Sequence, residues 1–149
     1  MPPSRRKGRQ GRCLMSKKRI LCVDDDTGIL RALRRILERK GYSVAACVNG
    51  KDALAEISAE EFDLIILDVM MPGMDGHELL EKIRCTKICN APVVMLTAKD
   101  DGDEVLKGYR EGATYYITKP FKNKYVINIV EYLLGDLSKS EKQALELQL

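Results

Sequence analysis

The chain has 149 residues and a mass of 16.8 kDa, the size of one ordinary domain. With 45% hydrophobic and 32% charged residues it is not a disordered chain, and with no Trp and two Phe its core must be aliphatic. No apolar run approaches the ~18 residues of a membrane span, and no apolar stretch follows the basic residues Arg5 to Arg12 as in a secretion signal.

A cytoplasmic location without membrane insertion is therefore expected. The net charge of +3 is unevenly placed: residues 1–19 carry eight bases and no acid, leaving the other 130 with 17 bases against 22 acids. An acidic body with a basic arm is expected, with the arm over 1–18, the folded domain over 19–135 and a short tail over 136–149. Ser138 and Glu141 in that tail have capping-box spacing, which predicts a last helical turn or two. The arm reads as a solvated leader. DNA binding is not expected of it, because no aromatic residue interleaves its bases and no recognition helix follows.

In chain order, five short apolar runs predict strands at Arg19–Val23, Ser43–Val48, Leu64–Leu67, Val93–Leu96 and Tyr115–Thr118. Helix-period segments alternate with them. Ile29, Leu33, Ile36 and Leu37 mark the first; Ala53, Leu54 and Ile57 the second; Leu79, Leu80 and Ile83 the third; Val105, Leu106 and Tyr109 the fourth. Val126, Ile129, Val130, Leu133 and Leu134 mark the fifth, the strongest of all. Continuous apolar strands alternating with amphipathic helices imply a parallel sheet covered on both faces. The fold class is α/β, a doubly wound five-stranded sheet in order 2-1-3-4-5, the flavodoxin-like arrangement.

The five cysteines (Cys13, Cys22, Cys47, Cys85, Cys89) have no regular spacing, and the only histidine is His77. Reduced thiols are expected, with Cys22 and Cys47 buried in strands and no thiol metal site. His77, just after Gly76 at a helix start, is expected to face solvent. Met70, Met71 and Met74 are expected to pack in a loop.

In a sheet of this order ligands bind beyond the carboxyl ends of the strands. Asp24, Asp25 and Asp26 follow the first strand, Asp68 the third, Thr97 the fourth, and Lys119 and Pro120 the fifth. Carboxylates converging on one rim raise one another's pKa or hold a cation, and an all-oxygen donor set favours Mg2+. Asp26 alone is also explained as a helix cap. A cation site, a lone carboxylate, a hydroxyl and an ammonium together make a phosphoryl-transfer constellation with Asp68 as nucleophile.

The segments ILCVDDD (20–26), LIILDVMMPGMDG (64–76), VVMLTA (93–98) and YYITKPF (115–121) resemble, in order and spacing, the motifs of response-regulator receiver domains. The resemblance spans about residues 19–134. It implies that Asp68 accepts a phosphoryl group from a sensor histidine kinase or histidine phosphotransfer protein. It implies a Mg2+ site of Asp25 and Asp68, with Asp24 acting through water and the Met70 backbone carbonyl as a third protein ligand. Lys119 would contact the acyl phosphate and precede a cis proline, with Thr97 and Tyr116 as the switch hydroxyl and switch aromatic. The signal would be read at the face of the fourth helix, fifth strand and fifth helix by a downstream protein target or a second copy, in a phosphorylation-dependent homodimer. In the family, residues two after the acceptor and two after the switch hydroxyl tune dephosphorylation. Here these are Met70 and Lys99, neither of which positions a water, so slow loss of phosphate is expected.

No output module follows Gly135, so a stand-alone receiver that is a phospho-acceptor and not an enzyme is expected. The alternative is a receiver cut from a larger regulator or hybrid kinase. A haloacid-dehalogenase-type phosphatase would place its nucleophile after the first strand. Gly28 stands where that pattern wants Thr or Val, and Asp68 would be unexplained. A flavodoxin-like cofactor carrier is disfavoured because three aspartates after the first strand repel phosphate.

Overall fold

The structure, a computed structural model, describes residues 17–86, 90–97 and 112–135. The arm as far as Ser16, the fourth helix candidate, Lys99, Cys13, Cys89 and the tail from Asp136 lie outside the described residues. Within them the elements are β1 (Arg19–Val23), α1 (Thr27–Arg39), β2 (Ser43–Cys47), α2 (Gly50–Ala59), β3 (Leu64–Asp68), α3 (Gly76–Thr86), β4 (Val93–Thr97), β5 (Tyr115–Thr118) and α4 (Asn123–Leu133). The fifth helix candidate is thus α4.

The five strands form one parallel sheet in the order β2-β1-β3-β4-β5, as expected. The register sets Cys22 against Ile66 and Ala46, and Asp68 against Leu96. Because side chains alternate along a strand, each apolar run feeds two cores. Leu21, Val23, Ile65, Leu67, Val93 and Met95 pack with Ala53 and Ile57 of α2 and Leu79, Leu80 and Ile83 of α3. Ile20, Cys22, Leu64, Ile66, Val94, Leu96 and Ile117 meet α1 and α4 on the other face through Leu33, Leu37, Val126 and Val130. Two-sided burial is why the strands read as unbroken apolar runs and not as alternating ones. Among the described residues no helix is long and apolar enough to cross a membrane.

Local signals place the helix starts. Asp26 caps α1, its carboxylate accepting from Gly28 N at 2.9 Å and Ile29 N at 3.3 Å. Asn49 caps α2 through Asp52 N at 2.8 Å, and the Asp75 carboxylate accepts from Glu78 N at 2.9 Å in the first turn of α3. Such caps are each worth about 1 kcal/mol.

Four expectations change. The third and fourth strands each run one residue further than expected, to Asp68 and Thr97. The second strand stops at Cys47, and Val48 is exposed beyond the last pairing with β1. Met70 does not pack but is exposed, whereas Met71 is buried and Met74 packs against the α2–α3 core. His77 is 3% exposed and does not face solvent. It lies three residues before Leu80 and six before Ile83, so helical periodicity carries it onto the buried stripe of α3. Cys22 and Cys47 are buried, and burial pushes their thiols up to about 12 and about 11, which leaves neither as a thiolate near neutral pH.

Candidate functional site

The site lies at the carboxyl ends of β1, β3, β4 and β5, where each strand releases a polar residue. Asp24 is wholly buried: its N–H bonds Cys47 O at 3.1 Å across to β2, and its carboxylate accepts from Asp26 N at 2.9 Å. That bond turns the chain, so Asp25 is exposed on the rim and Asp26 leaves to cap α1. Asp68 is 3% exposed at the last position of β3. One oxygen each of Asp24, Asp25 and Asp68 lies within 4.8 Å of the others, while Asp26 stays outside the cluster.

Lys119 follows β5, held by a 2.6 Å bond from its N–H to Thr97 O and followed by a cis bond to Pro120. Its ammonium donates to Asp24 Oδ2 at 2.9 Å and to Asp68 Oδ1 at 3.1 Å. Thr97 is buried at the end of β4, paired in register with Thr118. Met70 N–H lies 3.4 Å from Asp68 Oδ1, so the Met70 backbone borders the acceptor while its side chain, 71% exposed, stands outward. Tyr116 is buried one face over, packed with the α2–α3 core at the position paired with Met95.

Gly76, to which the sequence reading assigned no role, closes the site from below. A Cβ there would fall 2.4 Å from Asp68 O and 2.8 Å from Val69 Cα, and Gly76 N–H bonds Val69 O at 2.9 Å. Only glycine lets α3 start this close to the acceptor's backbone. The Asp-Gly pair before an apolar-periodic segment was its only signal.

Burial pushes the Asp68 carboxyl up to about 6, the charge of Asp24 adds to this, and the bonds from Lys119 and Met70 N–H oppose it. For Lys119, burial works downward, but its hydrogen bonds to Asp24 and Asp68 and their charges outweigh it and hold the ammonium above its usual range. Three carboxylates face one ammonium, so the cluster carries an uncompensated negative charge when ionised. An all-oxygen donor set without sulfur or imidazole fits a hard divalent cation such as Mg2+, held by Asp24, Asp25 and Asp68.

The sequence pattern described as the response regulator receiver domain matches residues 20–131. The chain belongs to the response-regulator receiver family. This receiver is 39% identical over 116 residues to the regulatory protein VanRB of Enterococcus faecalis, covering 78% of this chain and 52% of that protein. It is 40% identical over 125 residues to the transcriptional regulatory protein ResD of Bacillus subtilis, covering 84% and 51%. The chain thus spans about half the length of these relatives. Among solved structures, a CheY-like receiver domain protein from Methanospirillum hungatei aligns with a TM-score of 0.76 at 35% identity, covering 81% of this chain and 96% of that one. The chemotaxis protein CheY4 of Vibrio cholerae aligns with a TM-score of 0.77 at 31% identity, covering 80% and 100%. Membership makes this chain a receiver domain of two-component signalling.

Proposed function

We propose that Asp68 accepts a phosphoryl group from a phosphohistidine of a sensor kinase or histidine phosphotransfer protein. The observation that supports this most is the placement of Asp68. It is a buried carboxylate at a strand end, 3.1 Å from the Lys119 ammonium and within 4.8 Å of two further carboxylates. An Asp68 oxygen attacks phosphorus, the bond from phosphorus to the donor imidazole nitrogen breaks, and the imidazole departs with its electron pair and is then protonated. Asp24, Asp25, Asp68 and the Met70 backbone carbonyl would hold Mg2+, which when bound supplies positive charge to the phosphoryl oxygens. Lys119, which bridges Asp24 and Asp68 at rest, turns its ammonium to the new acyl phosphate.

The Thr97 hydroxyl then donates to a phosphoryl oxygen, and the adjoining β5, with Tyr116, adjusts. The altered surface along β5 and α4, with the segment before β5, binds a downstream protein or a second copy. The chain works as a phospho-acceptor in the cytoplasm and turns over no external substrate. If it is the receiver portion of a longer regulator, the chemistry at Asp68 is the same. Met70 and Lys99 offer no group to orient a water, so the acyl phosphate is long-lived; Met70→Asn with Lys99→Glu is expected to shorten its lifetime, read by loss of label with time. The test of the reading is intact mass after incubation with acetyl phosphate and Mg2+. One added phosphoryl group, lost with EDTA and absent in Asp68→Asn, supports it; an unmodified, folded parent overturns it.

A further inference from the structure

The loop between β3 and α3 is pinned at both ends. Gly76 N–H donates to Val69 O at 2.9 Å, which closes residues 69–76 on themselves. Within the loop, the Met70 side chain is exposed, Met71 is buried, and Pro72 and Gly73 are exposed. Gly73, at a φ of +80°, turns the chain, and Met74 then packs against the α2–α3 core.

Met74 lands on Gly50, the first residue of α2. A Cβ on Gly50 would lie 2.7 Å from Met74 Sδ, 3.3 Å from its Cγ and 3.4 Å from its Cβ. Gly50 is not among the glycines with a left-handed φ, so it is room for this one side chain that calls for glycine here. An unbranched thioether suits so narrow a space against backbone.

This contact joins two halves of the acidic site. On one side, Asp24 N–H bonds Cys47 O at 3.1 Å, and two residues further on Asn49 caps α2 through Asp52 N at 2.8 Å. The start of α2 is therefore tied to the strand end that carries Asp24 and Asp25. On the other side stand Asp68 and Met70, whose N–H lies 3.4 Å from Asp68 Oδ1. Because β1 lies between β2 and β3, the Met74–Gly50 contact reaches from the helix after β2 to the loop after β3. The Met70 side chain stands outward, so its backbone takes its place from the packed neighbours, Met71 and Met74.

We propose that Met74, seated on Gly50, is a positioning residue for the divalent-cation site. It holds the loop carrying the Met70 carbonyl at a fixed separation from Asp24 and Asp25. The inference rests on the Mg2+ reading above and goes beyond it, because neither Met74 nor Gly50 has an oxygen donor in its side chain. Mg2+ demands near-ideal octahedral geometry, so a small displacement of one oxygen donor weakens binding. Groups that only orient the ligands of a metal site typically change its affinity by about tenfold or more.

The test is urea unfolding of the full chain in EDTA and over a series of Mg2+ concentrations. The Mg2+ dissociation constant follows from the rise in stability with concentration. Met74→Ala is expected to raise that constant by about tenfold. Met74→Leu, of similar volume, should stay within about twofold of the parent. Gly50→Ala should weaken Mg2+ binding as Met74→Ala does, since the added methyl displaces the Met74 side chain. Alanine is the better helix former, so α2 is kept. The double variant should bind Mg2+ no more weakly than either single one, because both act through one contact. Stability in EDTA reports any purely structural loss separately. The proposal alone is overturned if Asp25→Asn weakens Mg2+ binding while Met74→Ala or Gly50→Ala does not, or if the two losses add. A parent whose stability does not respond to Mg2+ overturns the cation reading and this inference together.

Discussion

Lys119 Nζ lies 3.1 Å from Oδ1 of Asp68, and the same ammonium lies 2.9 Å from Oδ2 of Asp24. One cation thus holds two nearly buried carboxylates together, and its loss leaves their charges facing each other. Removing one partner of a buried pair costs about 3–5 kcal/mol, because the charges left behind remain out of water. Lys119→Ala is therefore expected to lower stability in EDTA by about 3 kcal/mol in urea unfolding. Saturating Mg2+ should recover a large part of the loss by replacing the missing charge. A variant as stable as the parent in EDTA would contradict this.

The pH dependence follows from Asp68. Its folded value, about 6, is above its usual 3.8, so between those values the folded chain holds a proton the unfolded chain has lost. The contribution of Asp68 to stability therefore falls as pH rises from about 4 to 6, by at most about 3 kcal/mol, in metal-free protein. Asp68→Asn should remove this component, so the gap in stability between variant and parent widens with pH across that window. Comparative urea unfolding at several pH values in EDTA measures it.

Asp25 is the exposed member of the carboxylate cluster. Asp25→Asn is expected to leave the metal-free stability within about 0.5 kcal/mol of the parent, as for surface substitutions. It should nevertheless shrink the stabilisation by Mg2+, which is about 2.7 kcal/mol at a hundredfold excess over Kd for a ligand that binds only the folded state. Thermal unfolding with and without Mg2+ separates the two effects.

Gly76 is where backbone packing limits the site most directly. With a Cβ placed 2.4 Å from Asp68 O, Gly76→Ala must push α3 away from β3. A cost of about 2–3 kcal/mol is expected, in the range of overpacked cores. Because the displaced atoms belong to Asp68 and Val69, uptake of phosphate from acetyl phosphate should slow as well. Gly112→Ala offers a comparison: its Cβ would meet the flexible Arg84 side chain at 3.0 Å and its φ of +108° is unfavourable for alanine, yet it lies at the other end of β5. It should lose stability with less effect on phosphate uptake.

The sequence alone determined the alternation of strands and helices and the sheet order. Apolar runs of four or five residues are long enough for buried strands, and the helical periods between them permit few right-handed windings. It also determined which residues end the strands, because a polar side chain after an apolar run marks the edge of the sheet. Tertiary structure decided what those residues do to one another. Asp24, Asp25 and Asp26 are consecutive, yet the bond from Asp26 N to Asp24 turns the chain, leaving two in the cluster and sending the third to cap α1. His77 reads as a polar residue after a glycine, and its place on the buried stripe of α3 with Leu80 and Ile83 takes it out of solvent. Lys119 could have been any surface lysine until β5 lay two strands from β3, roughly 10 Å away. Its four-carbon stem then bridges that gap over β4, so its ammonium bonds Asp24 and Asp68 directly, distances set by strand order.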